Sequence, residues 1–181
     1  SEYLSLINLA RVKQISVMDQ LDLNEHLSKI ERDKLDAIEK EIINYKKVYG
    51  LIDFTDMIQK FLDKNVTPDF DVIFVDEAQD LSLIQWAMIN KIEKDTNCDV
   101  WVAGDDDQAI FGWAGADVDS FINYDAKEIP LKQSERVPSI IQEIALNVIT
   151  RIEENRIDKE YFPKSETGEI FERYRLSDID M

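Results

Sequence analysis

The stretch Asp71-Val72-Ile73-Phe74-Val75-Asp76-Glu77-Ala78-Gln79-Asp80 decides how the rest of the chain is read. Its apolar residues run without a polar break and stop at a carboxylate pair. Such a run predicts a strand buried on both faces, as in a parallel sheet with helices on either side; a surface strand would alternate. Asp76 and Glu77 then stand at the carboxyl end of that strand, the edge at which open α/β sheets bind ligands. Asp99-Val100-Trp101-Val102-Ala103-Gly104-Asp105 repeats the pattern, a short apolar run closed by Gly and Asp. Between the two a helix is expected from Ser82 to Lys94, with Ser82 and Gln85 spaced as a capping box. Strand, helix, strand is one right-handed crossover unit, which puts both polar ends on one edge of the sheet.

The chain has 181 residues, 44% of them hydrophobic, which suits one ordinary domain or two small pieces. No apolar run approaches membrane-spanning length, and the opening residues do not have the pattern of a secretory signal. Cys98 is the only cysteine, so no internal disulfide is expected, and the setting is read as intracellular and cytoplasmic. His26 is the only histidine, which excludes a multi-histidine metal site. The formal charge is −17, whereas dedicated nucleic-acid-binding domains are usually basic. Any nucleic-acid contact must therefore be local, or draw positive charge from outside this chain.

Residues Ser1 to Tyr49 read as a two-helix packing element. Leu4, Ile7, Leu9, Val12 and Ile15 give a first apolar face; a polar break is expected from Asp19 to Asn24; Leu27, Ile30, Leu35, Ile38, Ile42, Tyr45 and Val48 continue at helical spacing to a stop at Gly50. Asp53 is placed to cap a helix running to Asp63. After the second strand, Asp106-Asp107-Gln108 and Gly112-Trp113-Ala114-Gly115 form a glycine-punctuated turn region. A short helix is expected over Asp117–Tyr124, a strand over Glu128–Leu131, a helix over Ser139–Arg151 with Pro138 in its first turn, and a strand over Gly168–Tyr174.

The carboxylates of Asp76 and Glu77 are hard oxygen ligands, suited to a hydrated magnesium ion held against phosphates. Asp105, Asp106 and Asp107 have the composition of a two-metal nuclease cluster, but acidic runs are ordinarily solvated and that reading is rejected. Trp113, between glycines and alanine, has turn chemistry and is expected at the surface; Trp101, inside a strand, is expected in the core.

"FDVIFVDEAQDLS", "VWVAGDDDQAIFGWAGAD" and "LKQSERVPSIIQEIA" follow one another in an order that resembles motifs II, III and IV of superfamily 1 DNA helicases of the UvrD, Rep and PcrA type. "YGLIDFTDMI" resembles the Asp-Phe-x-Asp helix upstream of motif II. The resemblance implies an α/β fold: a partial RecA-like parallel sheet flanked by helices and preceded by a helical segment. It implies that residues 1–52 end a helical 1B-like subdomain, 53–130 form the later half of the first RecA-like domain, and 131–181 begin the second. By the same resemblance Asp76 holds Mg2+, Glu77 orients and deprotonates the attacking water, and Gln108 contacts that water and the γ-phosphate of ATP. Trp113 stacks on a base of single-stranded DNA, and Arg136 reaches the γ-phosphate across a cleft. The implied parent is an ATP-dependent DNA helicase moving 3′ to 5′.

Two positions depart from the family pattern. Ala114 stands where an arginine usually follows the motif III aromatic pair, and Glu135 where a tyrosine often precedes the motif IV arginine. No Gly-x-x-x-x-Gly-Lys-Ser/Thr occurs among the 181 residues. The resemblance places that phosphate loop before Ser1 and the last helicase motifs beyond Met181. The chain is therefore expected to be an internal fragment, inactive by itself and completed by the remaining helicase domains. Two alternatives stay open: a non-catalytic helicase-like interaction module, and the helicase subunit of a helicase–nuclease.

Overall fold

The computed structural model describes residues 2–24, 29–152 and 156–171. His26, Leu27 and residues 172–174 of the expected C-terminal strand lie outside them. The chain divides into two units, Ser1–Asn123 and Tyr124–Met181.

In the first unit, four helices precede the sheet among the described residues. α1 (Glu2–Val12) turns Leu6, Ile7 and Ala10 inward. The chain breaks at residues 13–16, where Gln14 takes a left-handed φ of 55°. The Ser16 hydroxyl then accepts the Asp19 amide at 3.0 Å and caps α2 (Val17–Asp22). The polar stretch expected as a break is thus largely helical. Asp19 sits in the first turn, where the helix dipole favours a carboxylate, and Val17, Gln20 and Leu21 are buried. Among the described residues the segment holds three helices rather than two. α3 (Arg32–Tyr49) contributes Leu35, Ile38 and Ile42 to the core formed with Leu6, Ile7, Ala10, Val17, Leu21 and Ile30. It ends, as expected, at Gly50 with φ 64°.

α4 (Phe54–Leu62) opens with a reciprocal capping box. The Asp56 amide donates to Asp53 at 2.8 Å and the Asp53 amide to Asp56 at 2.9 Å. The same carboxylates gather cations from two other helices. Arg11 of α1 donates to both oxygens of Asp53, at 2.7 and 3.0 Å, and to Asp56 at 2.6 Å. Lys46 of α3 donates to Asp53 at 2.5 Å and Asp56 at 2.8 Å. The ends of three helices are joined by one partly buried ion cluster whose bidentate arginine fixes direction as well as charge.

β1 (Val72–Val75) and β2 (Asp99–Val102) pair in parallel, Val72 opposite Asp99 and Val75 opposite Val102. α5 (Leu83–Thr96) joins them, with Ser82 at its cap donating its amide to Gln85 at 2.9 Å. Burial on both faces, expected for this strand, is not what the structure holds: burial alternates along β1 and β2. Phe74 is 78% exposed and Trp101 55%, their ring centroids 6.3 Å apart. The run is apolar on both faces, but a two-stranded sheet has one face left open among the described residues. Trp101 is therefore not a core residue; the buried tryptophan is Trp86 on α5. α6 (Val118–Ile122), capped by the Asp117 carboxylate on the Ser120 amide at 3.0 Å, packs on the turns that follow β1 and β2.

The second unit runs β3 (Gln133–Pro138), α7 (Ser139–Ile149), β4 (Phe162–Lys164), with β3 and β4 parallel. The strand expected over Glu128–Leu131 is absent. Pro130 offers no amide to a ladder, Ile129 and Leu131 are exposed, and pairing begins beyond them, where the Phe162 amide donates to Lys132 at 2.8 Å. Pro138 closes β3 and caps α7 rather than entering its first turn. Residues 168–171, the described part of the expected last strand, are not strand; Gly168 opens them at a left-handed φ of 78°, and the strand that forms lies earlier. Among the described residues no helix is long and apolar enough to cross a membrane.

Hydrogen bonding from Arg11, outweighing partial burial and aided by Lys46 and the Asp56 amide, holds the Asp53 carboxyl well below the usual carboxylate range. A lowered folded value means that the unfolded chain takes up the proton more readily. The stabilisation is then complete above about pH 5 and lost progressively as pH falls through the ordinary carboxylate range and below it. The unfolding free energy of the chain is therefore expected to exceed that of Asp53→Asn most at about pH 7, with the gap narrowing toward about pH 3. Urea titrations across that range measure it, and a gap independent of pH would show that the cluster does not hold the carboxylate ionised.

Candidate functional site

The parallel ladder continues past the strands. The Ala103 amide donates to Val75 at 2.7 Å and the Ala78 amide to Ala103 at 3.0 Å, pinning the turn after β1 against the turn after β2. Asp76 and Glu77 are both exposed there. One oxygen of Asp76 accepts the Glu77 amide at 2.9 Å. Glu77 itself lies in the left-handed region, φ 50° and ψ 41°. For a residue with a Cβ this costs about 1–2 kcal/mol and persists only where neighbours fix it. Here they do: the Glu77 carbonyl accepts the Asp80 amide at 3.0 Å in a 3₁₀ turn over Ala78–Asp80, and its carboxylate accepts Nε2 of Gln79 at 2.9 Å.

Gln79 is 1% exposed. Its Oε1 accepts the Asp105 amide at 3.0 Å. Asp105 in turn accepts Nε2 of Gln108 at 2.7 Å on one oxygen and the Asp107 amide at 3.2 Å on the other. Glu77, Gln79, Asp105 and Gln108 thus form one hydrogen-bonded chain across the sheet edge. Gly104 leaves room for it, since a Cβ there would lie 2.6 Å from Oε1 of Gln79 and 3.0 Å from the Phe121 ring of α6. Sequence reading gave Gln79 no role. Its only signal was an amide among three carboxylates at a strand end, and nothing in the spacing marks it as buried.

Two further acidic groups share the edge. Burial, and after it the charge of Glu77, pushes the Asp80 carboxyl above its usual range. Asp105, Asp106 and Asp107 each bring an oxygen to within 4.8 Å of the others. Both Asp105 oxygens accept hydrogen bonds within the loop, which suits an ordinary acidic turn. Asp76 and Glu77 are exposed carboxylates on consecutive residues, and hard oxygens of this kind suit a magnesium ion that keeps most of its waters.

Trp113 lies in a 3₁₀ turn over Gly112–Ala114 and is 77% exposed, with the Phe111 ring 6.3 Å away and tilted by 52°. Gly115, at φ 101°, lets the turn close on α1: a Cβ there would meet Val12 at 2.5 Å and Leu9 at 3.2 Å. The Asp117 amide donates to Leu81 at 2.8 Å, and Ala116 bridges to Ser82, so the Trp113 turn is also tied to the residues after the Glu77 turn. Arg136 belongs to the second unit, exposed on β3, with its amide donating to the Ser134 hydroxyl at 3.3 Å.

The family model described as the UvrD/REP helicase N-terminal domain matches residues 2–129. The chain is 34% identical over 139 residues to "DNA helicase II" of Escherichia coli strain K12, covering 69% of this chain and 19% of that protein. It is 29% identical over 138 residues to "ATP-dependent DNA helicase PcrA" of Leuconostoc citreum, covering 68% and 18% respectively. The chain thus spans about a fifth of the length of the curated relatives it matches. Arg136 lies beyond the residues that the family model matches.

Gly115→Ala is expected to destabilise the chain by about 2 kcal/mol or more, since it combines a strained φ with a clash into packed Val12. Gly112→Ala, which meets nothing within 4 Å, should change stability by less than about 1 kcal/mol. Thermal unfolding of the two variants side by side measures the difference; equal losses would refute the packing of this turn on α1.

Proposed function

This chain belongs to the UvrD/REP helicase N-terminal domain family, and from that premise we propose that it works as part of an ATP-dependent DNA helicase moving 3′ to 5′ along single-stranded DNA. The observation that carries the reading is the hydrogen-bonded chain from Glu77 to Gln108 at the carboxyl edge of a parallel sheet. Phosphoryl transfer needs chiefly positioning and charge neutralisation. Glu77 orients the attacking water and takes its proton, and the Gln108 amide contacts that water and the γ-phosphate. Asp76 is the carboxylate that holds Mg2+, which would supply charge neutralisation at the phosphates.

Trp113 presents an aromatic face to a base of the single strand. Stacking tolerates any sequence and needs no net positive charge, which reconciles DNA binding with a chain of charge −17. Arg136 reaches the γ-phosphate as an arginine finger supplied in cis. In this reading residues 1–52 end a 1B-like subdomain, 53–130 are the later half of the first RecA-like domain and 131–181 begin the second. The seat for the triphosphate comes from a glycine-rich loop that the 181 residues do not contain, so the isolated chain does not turn over ATP. The setting is cytoplasmic. Ala114, in the place of an arginine, favours as a second reading a helicase-like module that binds partners without catalysis.

Two variants of the full-length protein test the assignment. Trp113→Ala should weaken single-strand binding by about 1–3 kcal/mol. Arg136→Ala should lower DNA-stimulated ATP turnover by about 10³-fold while leaving DNA affinity without nucleotide unchanged. Normal DNA binding by the first and normal turnover by the second would overturn the reading in favour of the interaction module.

A further inference from the structure

Gln79 joins the two groups to which hydrolysis is assigned, and does so from inside the protein. A glutamine amide has two ends of opposite character. Here Nε2 donates to the Glu77 carboxylate at 2.9 Å and Oε1 accepts the Asp105 amide at 3.0 Å. Both bonds need the amide in one orientation, and the side chain is 1% exposed, so water offers no substitute for either. Gly104 leaves the room that this orientation needs, since a Cβ there would lie 2.6 Å from Oε1. Glu77 needs such a guide, because its left-handed backbone aims an otherwise exposed carboxylate that solvent alone would leave mobile.

We propose that Gln79 is a positioning residue that fixes the Glu77 carboxylate in register with the Asp105–Gln108 loop, so that the water-activating carboxylate and the phosphate-contacting amide move as one body. The proposal rests on the roles given above to Glu77 and Gln108. Gln79 is buried behind Glu77 and acts through it. Through Asp105 it also links Glu77 to the loop that leads on to Trp113, so a shift of that loop is transmitted to the carboxylate.

The test uses the full-length protein, with single-strand-stimulated turnover, KM for ATP, DNA affinity and thermal unfolding measured on each variant. Gln79→Met keeps the volume and removes both hydrogen bonds. It should lower kcat by up to about 100-fold, the scale of a misplaced reacting group, with KM and DNA affinity within about twofold of the parent. Gln79→Asn keeps the amide but is one methylene too short to reach both Glu77 and the Asp105 amide; it should lower kcat comparably, and as a smaller polar side chain it covers the case in which Gln79→Met fails to fold. The deciding measurement is the pair with Glu77→Gln. In that background Gln79→Met should have little further effect on residual turnover, because the group it positions is already gone; a purely structural residue would lower turnover by the same factor in either background. Additive losses, or a kcat within twofold in both Gln79 variants, would overturn the proposal. Full turnover by Glu77→Gln alone would instead refute the assignment of Glu77 on which it rests.

Discussion

Parallel pairing of β1 with β2 is the constraint on which the rest of the site depends. Strands that run the same way must end at the same edge, and the connection between them must cross over the sheet. That brings two turns into contact, one carrying Asp76 and Glu77, the other Asp105 and Gln108. With only four residues in each strand, the ladder alone is a weak frame. The structure reinforces it beyond the strand ends, through the Ala103 and Ala78 amides and then through the side chain of Gln79. Precision at the edge therefore comes from polar bonds in the turns more than from the sheet behind them.

The helical segment is not a passive neighbour of this edge. α1 carries Arg11, which holds Asp53 and Asp56, and also Leu9 and Val12, against which the Gly115 turn closes. One helix thus meets both the ion cluster at the start of α4 and the turn that presents Trp113. Each contact is modest in energy. Their geometry matters more, because a bidentate arginine and a glycine-sized gap both tolerate little displacement.

What the sequence disclosed was mostly local. Asp53, Ser82 and Gly50 mark helix ends through bonds made within a few residues, and the structure has helix ends at each. The strand–helix–strand order and the parallel pairing also follow from the apolar runs and the carboxylates that close them. What failed depended on distant partners. Burial of Phe74 and Trp101 presupposes a cover for the sheet face, and no strand sequence specifies its own cover. The expected strand at Glu128–Leu131 had the right composition, but Pro130 removes a ladder donor and pairing starts later. The polar residues Asp19–Asn24 looked like a break, yet Gln20 is buried and only tertiary packing decides that. Asp76 and Glu77 could be picked out as carboxylates at a strand end, and Gln108 by the resemblance of its stretch to motif III; the bonds that join Glu77 to the Gln108 loop through Gln79 could not.

Gly104 shows how such a bond constrains the protein's history. Its backbone is not left-handed, so nothing in its own conformation demands glycine; the demand comes from the Gln79 amide and the Phe121 ring that fill the place of its Cβ. Its intolerance is therefore conditional. An alanine at position 104 is admissible only after residue 79 has become shorter and the ring of residue 121 has given way, and the reverse order passes through a protein whose sheet edge is wedged open. The two turns are bound to an order of substitution as well as to each other, and in this part of the chain the effect of a mutation depends on the background into which it falls.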